Sequence, residues 1–562
     1  MEKRAVLAFV LSMIVFIAWS YFFSSSPPKT ERQAEKKPLE TAKVQDKGQV
    51  AIEAETPAKS QTAPDAAPAK TGPGETLTAD KAREVVVTTD LYTAVFTESG
   101  GRLKHMQLHK YQETAEPDSP PKDLVLVSSK ADLPLGLHFQ SGHAPNLTQA
   151  PFRADRTAIN VKAEGGKAAL TLTYHDPGGL TVERVYSFDD NSYLLGLKIN
   201  LRNLSPNEID DNLILSLASN PLTAKETYAG FGAWLDDELL EYKPSELEEK
   251  LEALKTKTYK LTWAAYEDQY FLAAVLPAEK EKTRLKAEKY GDRGVKLGFI
   301  CPPLVMNPRT EKSYQFEVYY GPKDYNILKS LENGLERSIY FGWVDILSKP
   351  LLILMTWLYR YVGNYGLVIL IVTVLIKILF WPLTAKSYKS MKGMQKLQPK
   401  IVKLREKYKD DREAMNREMM QLYKTYKVNP LGGCLPMAIQ IPVFIALYRL
   451  LDYSLELRHA PFWLWIKDLS APDRLWHFGF HVPFMDDPAG IPVLTLFMGV
   501  SMLIQQKLSP SPGDPTQAKI MMMLPIFFTV IFINFPSGLV LYWLVNNILS
   551  IGQQILINKR PT

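Results

Sequence analysis

Long apolar runs, concentrated near the start of the chain and in its last two hundred or so positions, constrain the fold most. Residues 367–381 and 521–535 lie in runs long enough to cross a bilayer, which takes roughly 20 apolar residues per helix. Averaged over 562 residues, the chain is 46% hydrophobic and 22% charged, like an average soluble protein. The average is misleading because the runs predict membrane helices. With two cysteines, the chain is not a disulfide scaffold.

The first 81 residues divide into an apolar run and a polar tract. The run at 5–23 is longer than the roughly 7–15 residues of a signal-peptide core, and it ends in Phe22, Phe23 and Ser24 without a small-x-small site,. We therefore expect 1–23 to be an uncleaved transmembrane anchor. Residues 24–81 are rich in Ala, Lys, Glu, Thr and Pro and nearly without aromatics, which predicts a disordered tether.

The region 82–335 has the alternating pattern of strands. Two alternating segments, 170–174 and 180–186, flank the turn sequence DPGG at 176–179, and this predicts a hairpin. The pattern continues at 193–201, 258–264 and 314–320, and one helix is predicted at 247–254. We expect an all-β sandwich domain.

The remainder predicts an α-helical integral membrane protein. Residues 338–361 are aromatic and amphipathic, which is typical of a helix lying in the membrane interface,. Apolar spans follow near 364–383, 434–452, 491–506, 519–535 and 537–556. Together with the anchor they make six spans, five of them in a core over 362–558, followed by a short tail at 559–562.

The loop at 384–430 is basic and sets the expected orientation. Its cations are Lys386, Lys389, Lys392, Lys396, Lys400, Lys403, Arg405, Lys407, Lys409, Arg412, Arg417, Lys424 and Lys427. The positive-inside rule makes this loop cytoplasmic, so both termini lie inside and the β domain lies outside. Helical spacing of apolar residues predicts a helical hairpin. Two interpretations stay open: contact with anionic lipid, or docking of a polypeptide or ribosome.

Lys377 lies inside an apolar span, where a lysine costs about 2.5–3.5 kcal/mol on insertion scales,. Snorkelling to the headgroups is the alternative. However, Lys386 lies nine positions on, about 13 Å along a helix, and a lysine side chain reaches roughly half of that. We favour a water-lined functional lysine, with Thr373 on the same face. Since no acidic residue lies nearby in the spans, it would need water or a transient acidic partner. Other polar residues in or beside the spans are Gln440, Ser501, Gln505, Asn534, Ser537, Asn546 and Asn547.

Catalytic and cofactor motifs are missing from the sequence. It has no HExxH, GxSxG or CxxC motif and no P-loop,. His105 and His109 are four residues apart in a predicted strand, about 13 Å and thus too far for one metal,. We expect no enzyme, no cofactor and no metal site.

A series of motifs resembles the YidC/Oxa/Alb family of membrane insertases over about 340–556. The motifs are KILFWPLT at 377–384, QPK at 398–400, NPLGGC at 429–434, QIP at 440–442, AP at 460–461, DP at 514–515 and FPSGLVLY at 535–542. The whole layout is similar to the Gram-negative branch of this family, whose β domain is periplasmic and whose core lies in the cell inner membrane.

This resemblance implies a membrane protein insertase and chaperone with a hydrophilic groove, open to cytoplasm and lipid and closed to the periplasm. Lys377 falls on the positive groove position, where many members have arginine. Thr373, Gln440, Phe444 and Trp543 fall on other groove positions. Implied partners are nascent membrane proteins, the Sec translocon and membrane lipids, but no DNA. A ribosome would dock on a cytoplasmic loop whose basic residues are Lys396, Lys400, Lys403, Arg405 and Lys407.

Two other classes of protein compete with this interpretation. A solute or ion transporter using Lys377 as a substrate site would show internal repeats with discontinuous helices, and none is seen in the sequence. A sugar-binding or sugar-processing protein would act through the β domain. Deleting most of that domain would distinguish a sugar protein from an insertase, because an insertase would retain its activity and a sugar protein would not.

Overall fold

The computed structural model describes residues 82–559, except for 117, 143–144, 223–228, 253–258, 409–410, 427, 429–434 and 509–514. The predicted anchor at 1–23, the tether at 24–81 and the tail beyond 559 lie outside the described residues, as does Cys434. Cys301 is buried in the β domain.

The first half of the described chain is built from strands. These are β1 (Glu84–Thr88), β2 (Tyr92–Thr97), β3 (Arg102–Gln112), β4 (Pro121–Asp123), β5 (Gly136–Phe139), β6 (Arg153–Ala154), β7 (Ala158–Asn160), β8 (Lys167–His175), β9 (Leu180–Asp189), β10 (Leu194–Asn203), β11 (Ile209–Asp211), β12 (Leu213–Ser219), β13 (Ala229–Leu235), β14 (Glu238–Tyr242), β15 (Leu261–Asp268), β16 (Phe271–Pro277), β17 (Arg284–Tyr290), β18 (Gly294–Ile300), β19 (Leu304–Met306) and β20 (Glu311–Pro322). In the described part they form sheets of nine, five, four and two strands.

The largest sheet has the order β14-β13-β15-β16-β20-β10-β9-β8-β6. Every residue of β15 and β16 is buried, so these central strands are covered on both faces and do not alternate. The five-stranded sheet, β4-β3-β2-β1-β7, packs against the large one, and the rings of Phe96 and Tyr186 lie 4.6 Å apart between them. The region is therefore layered and rich in β-sheet.

The predicted hairpin is confirmed as β8 and β9, which pair antiparallel with Tyr174 opposite Val182. Its turn is held by the Asp176 carboxylate, which accepts a 2.7 Å bond from the Gly178 amide. Gly179 has φ 96°, and a Cβ there would lie 2.8 Å from the Ser205 backbone nitrogen. The turn sequence therefore both bends the chain and lets the next loop approach.

The second half is helical, after two short helices in the β region. The helices are α1 (Leu247–Glu252), α2 (Tyr325–Ser330), α3 (Asp345–Val362), α4 (Tyr365–Lys407), α5 (Arg412–Thr425), α6 (Leu435–Tyr453), α7 (Val493–Leu508), α8 (Pro515–Phe532) and α9 (Ser537–Lys559). Helix α3 carries the exposed apolar residues Ile346, Trp357 and Tyr361, within the segment predicted to lie in the membrane interface.

Over 384–430, where a helical hairpin is predicted, the first helical segment is the end of α4 and the second is α5. Helix α4 runs without a break for 43 residues, about 65 Å, from the apolar span into the basic segment,. Pro382 and Pro399 lie inside it. Leu397 and Ile401, on either side of Pro399, are buried, and burial of one helix face favours a continuous helix despite a proline.

Two described helices are long and apolar enough to cross a membrane by length and composition, namely Tyr365–Lys407 and Ser537–Ile557. Val493–Leu508 and Met521–Phe532 are shorter apolar helices. The six spans of the predicted fold class thus stay a prediction.

The β region contacts the helical region where α6 ends. Arg458 donates to the carbonyls of Gln112 and Glu113 at 2.7 and 3.1 Å, and its guanidinium lies 5.4 Å from the ring centre of Phe271. The Gln269 side chain donates to the Asp452 carbonyl. These bonds fix the end of α6 against β3 and β16.

Glu456 lies beside this contact, in the turn that follows α6. Burial raises the pKa of its carboxyl from 4.5 to about 7, and the nearby Asp324 charge adds to the shift. A carboxyl in this environment favours its neutral form.

Candidate functional site

Lys377 lies near the middle of the apolar part of α4 and is 9% exposed. Its ammonium donates to Ser550 Oγ at 2.6 Å and to Asn546 Oδ1 at 3.2 Å. Both acceptors belong to α9. The expectation that only water or an acidic partner would satisfy this lysine is therefore wrong, because two neutral side chains hold it. They accept two of the three hydrogen bonds that an ammonium can donate, and they leave its charge uncompensated.

A small cavity of about 20 Å³ lies beside the ammonium. Its lining residues are Ile376, Lys377, Phe380, Leu383, Thr384, Gln440, Val443 and Asn546. The structure thus brings Lys377 of α4 and Gln440 of α6 to one cavity. The volume is enough for about one water molecule between polar groups.

Helix α9 forms two polar stripes that explain the position of the cavity. Asn546, Ser550 and Gln553 follow i, i+4, i+7 spacing and face α4, where Gln553 donates to Thr384 Oγ1 at 2.7 Å,. Asn547 and Gln554 lie on the next face and donate to Ser501 Oγ and the Leu508 carbonyl of α7, at 3.0 and 2.7 Å. The stripes extend from Lys377 toward the end of the helices that is farthest from the β region.

Thr373 is buried one turn before Lys377, toward the β region. Its hydroxyl donates to the Ile369 carbonyl at 2.6 Å within the same helix. Thr373 is not among the residues that line the cavity. It shares a buried helix face with Lys377 and is satisfied by backbone.

Phe444 and Trp543 meet one turn nearer to the β region than Gln440 and Asn546. Their ring centres are 4.6 Å apart at 90°, and Phe532 packs against Trp543 at 5.1 Å. We call Phe444, Tyr448, Phe528, Phe532, Phe535 and Trp543 the aromatic cluster; neighbouring rings in it are 4.6 to 6.5 Å apart. The cluster lies between the cavity and the β region, so apolar side chains close the cavity on that side.

The predicted docking residues Lys396, Lys400, Lys403, Arg405 and Lys407 lie in the last turns of α4, and all except the half-buried Arg405 are exposed. The ammonium of Lys400 lies 4.2 Å from the ring centre of Tyr426, at the end of α5, and donates to its hydroxyl. These residues form a basic surface far from the β region.

Sequence reasoning missed Ser550 and Gln553 and gave Asn546 no role. The available signal was the helical spacing of 546, 550 and 553 within an otherwise apolar stretch. Among the described residues, no group of three or more His, Cys, Asp or Glu side chains could hold a metal ion.

Comparison with known proteins identifies the family. Residues 357–562 match the family model of the 60Kd inner membrane protein, and residues 84–354 match that of the YidC periplasmic domain. A membrane protein insertase YidC from Syntrophus aciditrophicus is 41% identical, with 100% of each chain covered. One from Pelobacter propionicus is 42% identical, with 100% of this chain and 99% of the relative covered.

A crystal structure of an active YidC insertase, with its first transmembrane domain resolved, covers 84% of this chain and 92% of its own at 18% identity and a TM-score of 0.35. The assignment to a family rests on the full-length sequence matches. With two curated relatives above 40% identity over the whole chain, and family models for both halves, this chain belongs to the YidC family of membrane protein insertases.

Proposed function

We propose that this protein inserts integral membrane proteins through a hydrated, positively charged groove at Lys377, open to cytoplasm and lipid, and that it helps them to fold. The observation that carries the proposal is a lysine deep in an apolar helix, held only by neutral acceptors among the described residues, beside a water-sized cavity. The insertase role itself follows from the relatives, which are membrane protein insertases.

The charge of Lys377 would act on the incoming chain. A translocated tail with an acidic residue must bring that charge across hydrocarbon, which is costly. At 4 Å and an effective dielectric constant of 20, the attraction between two unit charges is about 4 kcal/mol. A nearby ammonium can therefore offset part of the cost, and hydration keeps the pair weak enough to separate. The apolar segment then partitions into lipid at about 25 cal/mol per Å².

The other groove residues would have different roles, which depend on their positions relative to Lys377. Gln440 shares the cavity with Lys377 and offers a neutral hydrogen-bonding group. Phe444 and Trp543, within the aromatic cluster, would close the groove on the side of the β region. Thr373 would place a small side chain on the helix face above Lys377. Its hydroxyl is already bonded to a backbone carbonyl of the same helix and so does not extend into the groove.

In the proposed topology the chain has six spans in the cell inner membrane, with both termini cytoplasmic and the β domain, 82–335, periplasmic. The groove would then open on the same side as the basic surface of α4. Labelling of introduced cysteines from outside should reach positions near Ser205 and Pro472 and should not reach positions near Lys403. Outside labelling at Lys403 would reverse the orientation.

Partners beyond the substrate belong to the proposal as well. The exposed ammonium groups at the end of α4 suit an acidic surface, such as anionic lipid or ribosomal RNA,. The protein would work alone or with the Sec translocon.

Crosslinking tests the groove directly. A photoreactive residue at Leu383 or Val443, which line the cavity, should capture a stalled nascent membrane protein. The matched control is Ile526, an apolar position of α8 that is 58% exposed. Capture that is equal at all three positions would contradict a groove at Lys377.

A further inference from the structure

The segment between α6 and α7 exposes large apolar side chains that nothing in the described structure covers. We call residues 461–491 the aromatic loop. Leu464 is 87% exposed and Phe484 is 85% exposed, and Trp463, Trp476 and Phe480 are also exposed. Large apolar side chains exposed in this number mark an interface with another molecule or with a membrane.

The aromatic loop is tied to the ends of the helices by hydrogen bonds. Arg474 donates to the Ile533 carbonyl at 2.8 Å and to Asn534 Oδ1 at 3.1 Å. Asn534 in turn donates to the Phe484 carbonyl at 3.0 Å. Ile533 and Asn534 form the turn between α8 and α9, so Phe484 is held at the level where those helices end.

The other tip of the aromatic loop is tied to the start of α4. Asn364, which caps α4, donates to the Pro461 carbonyl at 3.4 Å. The ring of Phe462 occupies the space that a Cβ on Gly366 would need. Leu464 is therefore held close to the first turn of another apolar helix.

Leu464 and Phe484 also have a backbone conformation that these residue types rarely adopt. Their φ angles are 60° and 67°, in the left-handed region that is unfavourable for residues other than glycine. Their side chains are exposed, so packing against the described residues does little to offset this cost. A contact outside the described chain can supply the gain.

The length of α7 indicates what that contact is. Its 16 residues span about 24 Å,, less than the roughly 30 Å of a hydrocarbon core. Its outward face carries Phe497 and Val500, which are exposed, as is typical of a surface toward acyl chains in a protein of an inner-membrane family. The aromatic loop continues that apolar surface beyond Val493, where the helix alone is too short to cover the lipid.

We propose that the aromatic loop rests at the headgroup–acyl boundary of the lipid leaflet nearest the β region, with Leu464 and Phe484 as its two anchors. Tryptophan side chains favour this level of a bilayer, and Trp463 and Trp476 are exposed in the loop. His481, Asp486 and Asp487 lie between the apolar residues and keep contact with water. This inference needs only that the protein is embedded in a membrane, and so it stands apart from the groove at Lys377.

The test uses the full chain in lipid vesicles. Cys301 and Cys434 are replaced by serine, and a fluorescent nitrobenzoxadiazole probe is attached at Leu464→Cys or Phe484→Cys. The matched control is Leu204→Cys, an apolar residue that is 56% exposed in a loop of the β region. Each probe is quenched with iodide in the water and, separately, with a nitroxide on the lipid headgroups.

At Leu464 and Phe484 we expect several-fold weaker iodide quenching than at Leu204, together with strong nitroxide quenching. Iodide quenching as strong as at Leu204 would show that the loop stands in water and would overturn the proposal. Protection from iodide without nitroxide quenching would mean that protein covers the loop, a second copy of the chain for example, and would also overturn it. The two labelled positions lie in separate parts of the loop, so each tests the proposal even if the other variant does not fold.

Discussion

Lys377 Nζ lies 2.6 Å from Ser550 Oγ, so a cation in the apolar part of one helix is held by a neutral hydroxyl of another. Asn546, one turn away on the same helix, supplies a second neutral acceptor at 3.2 Å. Neutral acceptors reduce the cost of burying an ammonium without cancelling its charge. The lysine is therefore oriented and still able to attract an anion.

Asn546→Asp should remove the ability of Lys377 to attract an anion of the substrate, because it places a permanent anion next to the ammonium. We expect the variant to lose any preference for substrates with acidic translocated tails, because its own carboxylate competes with theirs. Asn546→Leu is the matched control, since it removes the acceptor and adds no charge, and it should keep the preference. The measurement is insertion into vesicles of two substrates that differ only in tail charge. Equal behaviour of the two variants would mean that the charge at Lys377 is not what the substrate meets.

Glu456 predicts a pH dependence of stability. Its pKa is raised from 4.5 to about 7 in the folded protein, so between these values the folded state binds more protons than the unfolded state. Stability therefore falls as pH rises through this window and levels off above it. Glu456→Gln should flatten that fall and should unfold at a higher temperature than the wild type above a pH of about 7.

Thermal unfolding in detergent at a series of pH values measures this effect. Glu249→Gln, at an exposed position in the β region, is the control and should follow the wild-type curve. If the Glu456→Gln curve also follows the wild type across the window, then the carboxyl is better hydrated than its burial implies.

Arg458 should hold the β region against the end of α6. Hydrogen bonds that involve a charged group contribute about 1.5–3 kcal/mol, and Arg458 makes two of them to β-region carbonyls. Arg458→Ala should therefore increase hydrogen exchange around Gln112 and Phe271 by tenfold or more, in line with about 1.4 kcal/mol per factor of ten. Arg202→Ala removes an exposed ion pair to Glu311 and should have little effect on that exchange. Unchanged exchange in the Arg458 variant would mean that other contacts hold the junction.

The parts of the fold that the sequence predicts best are those set by local pattern. The hairpin of β8 and β9 follows from period-two alternation and from the turn at Asp176, both of which act over a few residues. The central strands β15 and β16 are buried on both faces, so their burial does not alternate; the predicted strand at 258–264 covers only the start of β15. Pro382 and Pro399 would be expected to interrupt a helix, yet α4 is continuous through both, and such an outcome depends on packing that local pattern does not reveal.

The candidate site was predicted in part, and the missing part has a geometric cause. Lys377 can be identified from the sequence alone, because a charged residue within an apolar run is recognised without knowledge of its three-dimensional neighbours. Its partners Asn546 and Ser550 are about 170 positions away, and only the rotation of α9 about its own axis brings them to face α4. Helical spacing identifies the polar stripe on α9 and cannot say which neighbouring helix it meets.

The charge at Lys377 predicts a graded series of variants. Lys377→Arg should support insertion, because it keeps the charge and adds reach. Lys377→Ala should stay folded, since removing an uncompensated charge from an apolar helix relieves a cost of about 2.5–3.5 kcal/mol on insertion scales. It should slow insertion of substrates with acidic tails and affect neutral tails much less, and Lys377→Glu should be worse still for acidic tails. The assay compares substrates that differ only in tail charge. If the alanine variant inserted acidic and neutral tails alike at wild-type rates, Lys377 would be a lysine that snorkels to the headgroups and has no part in substrate binding.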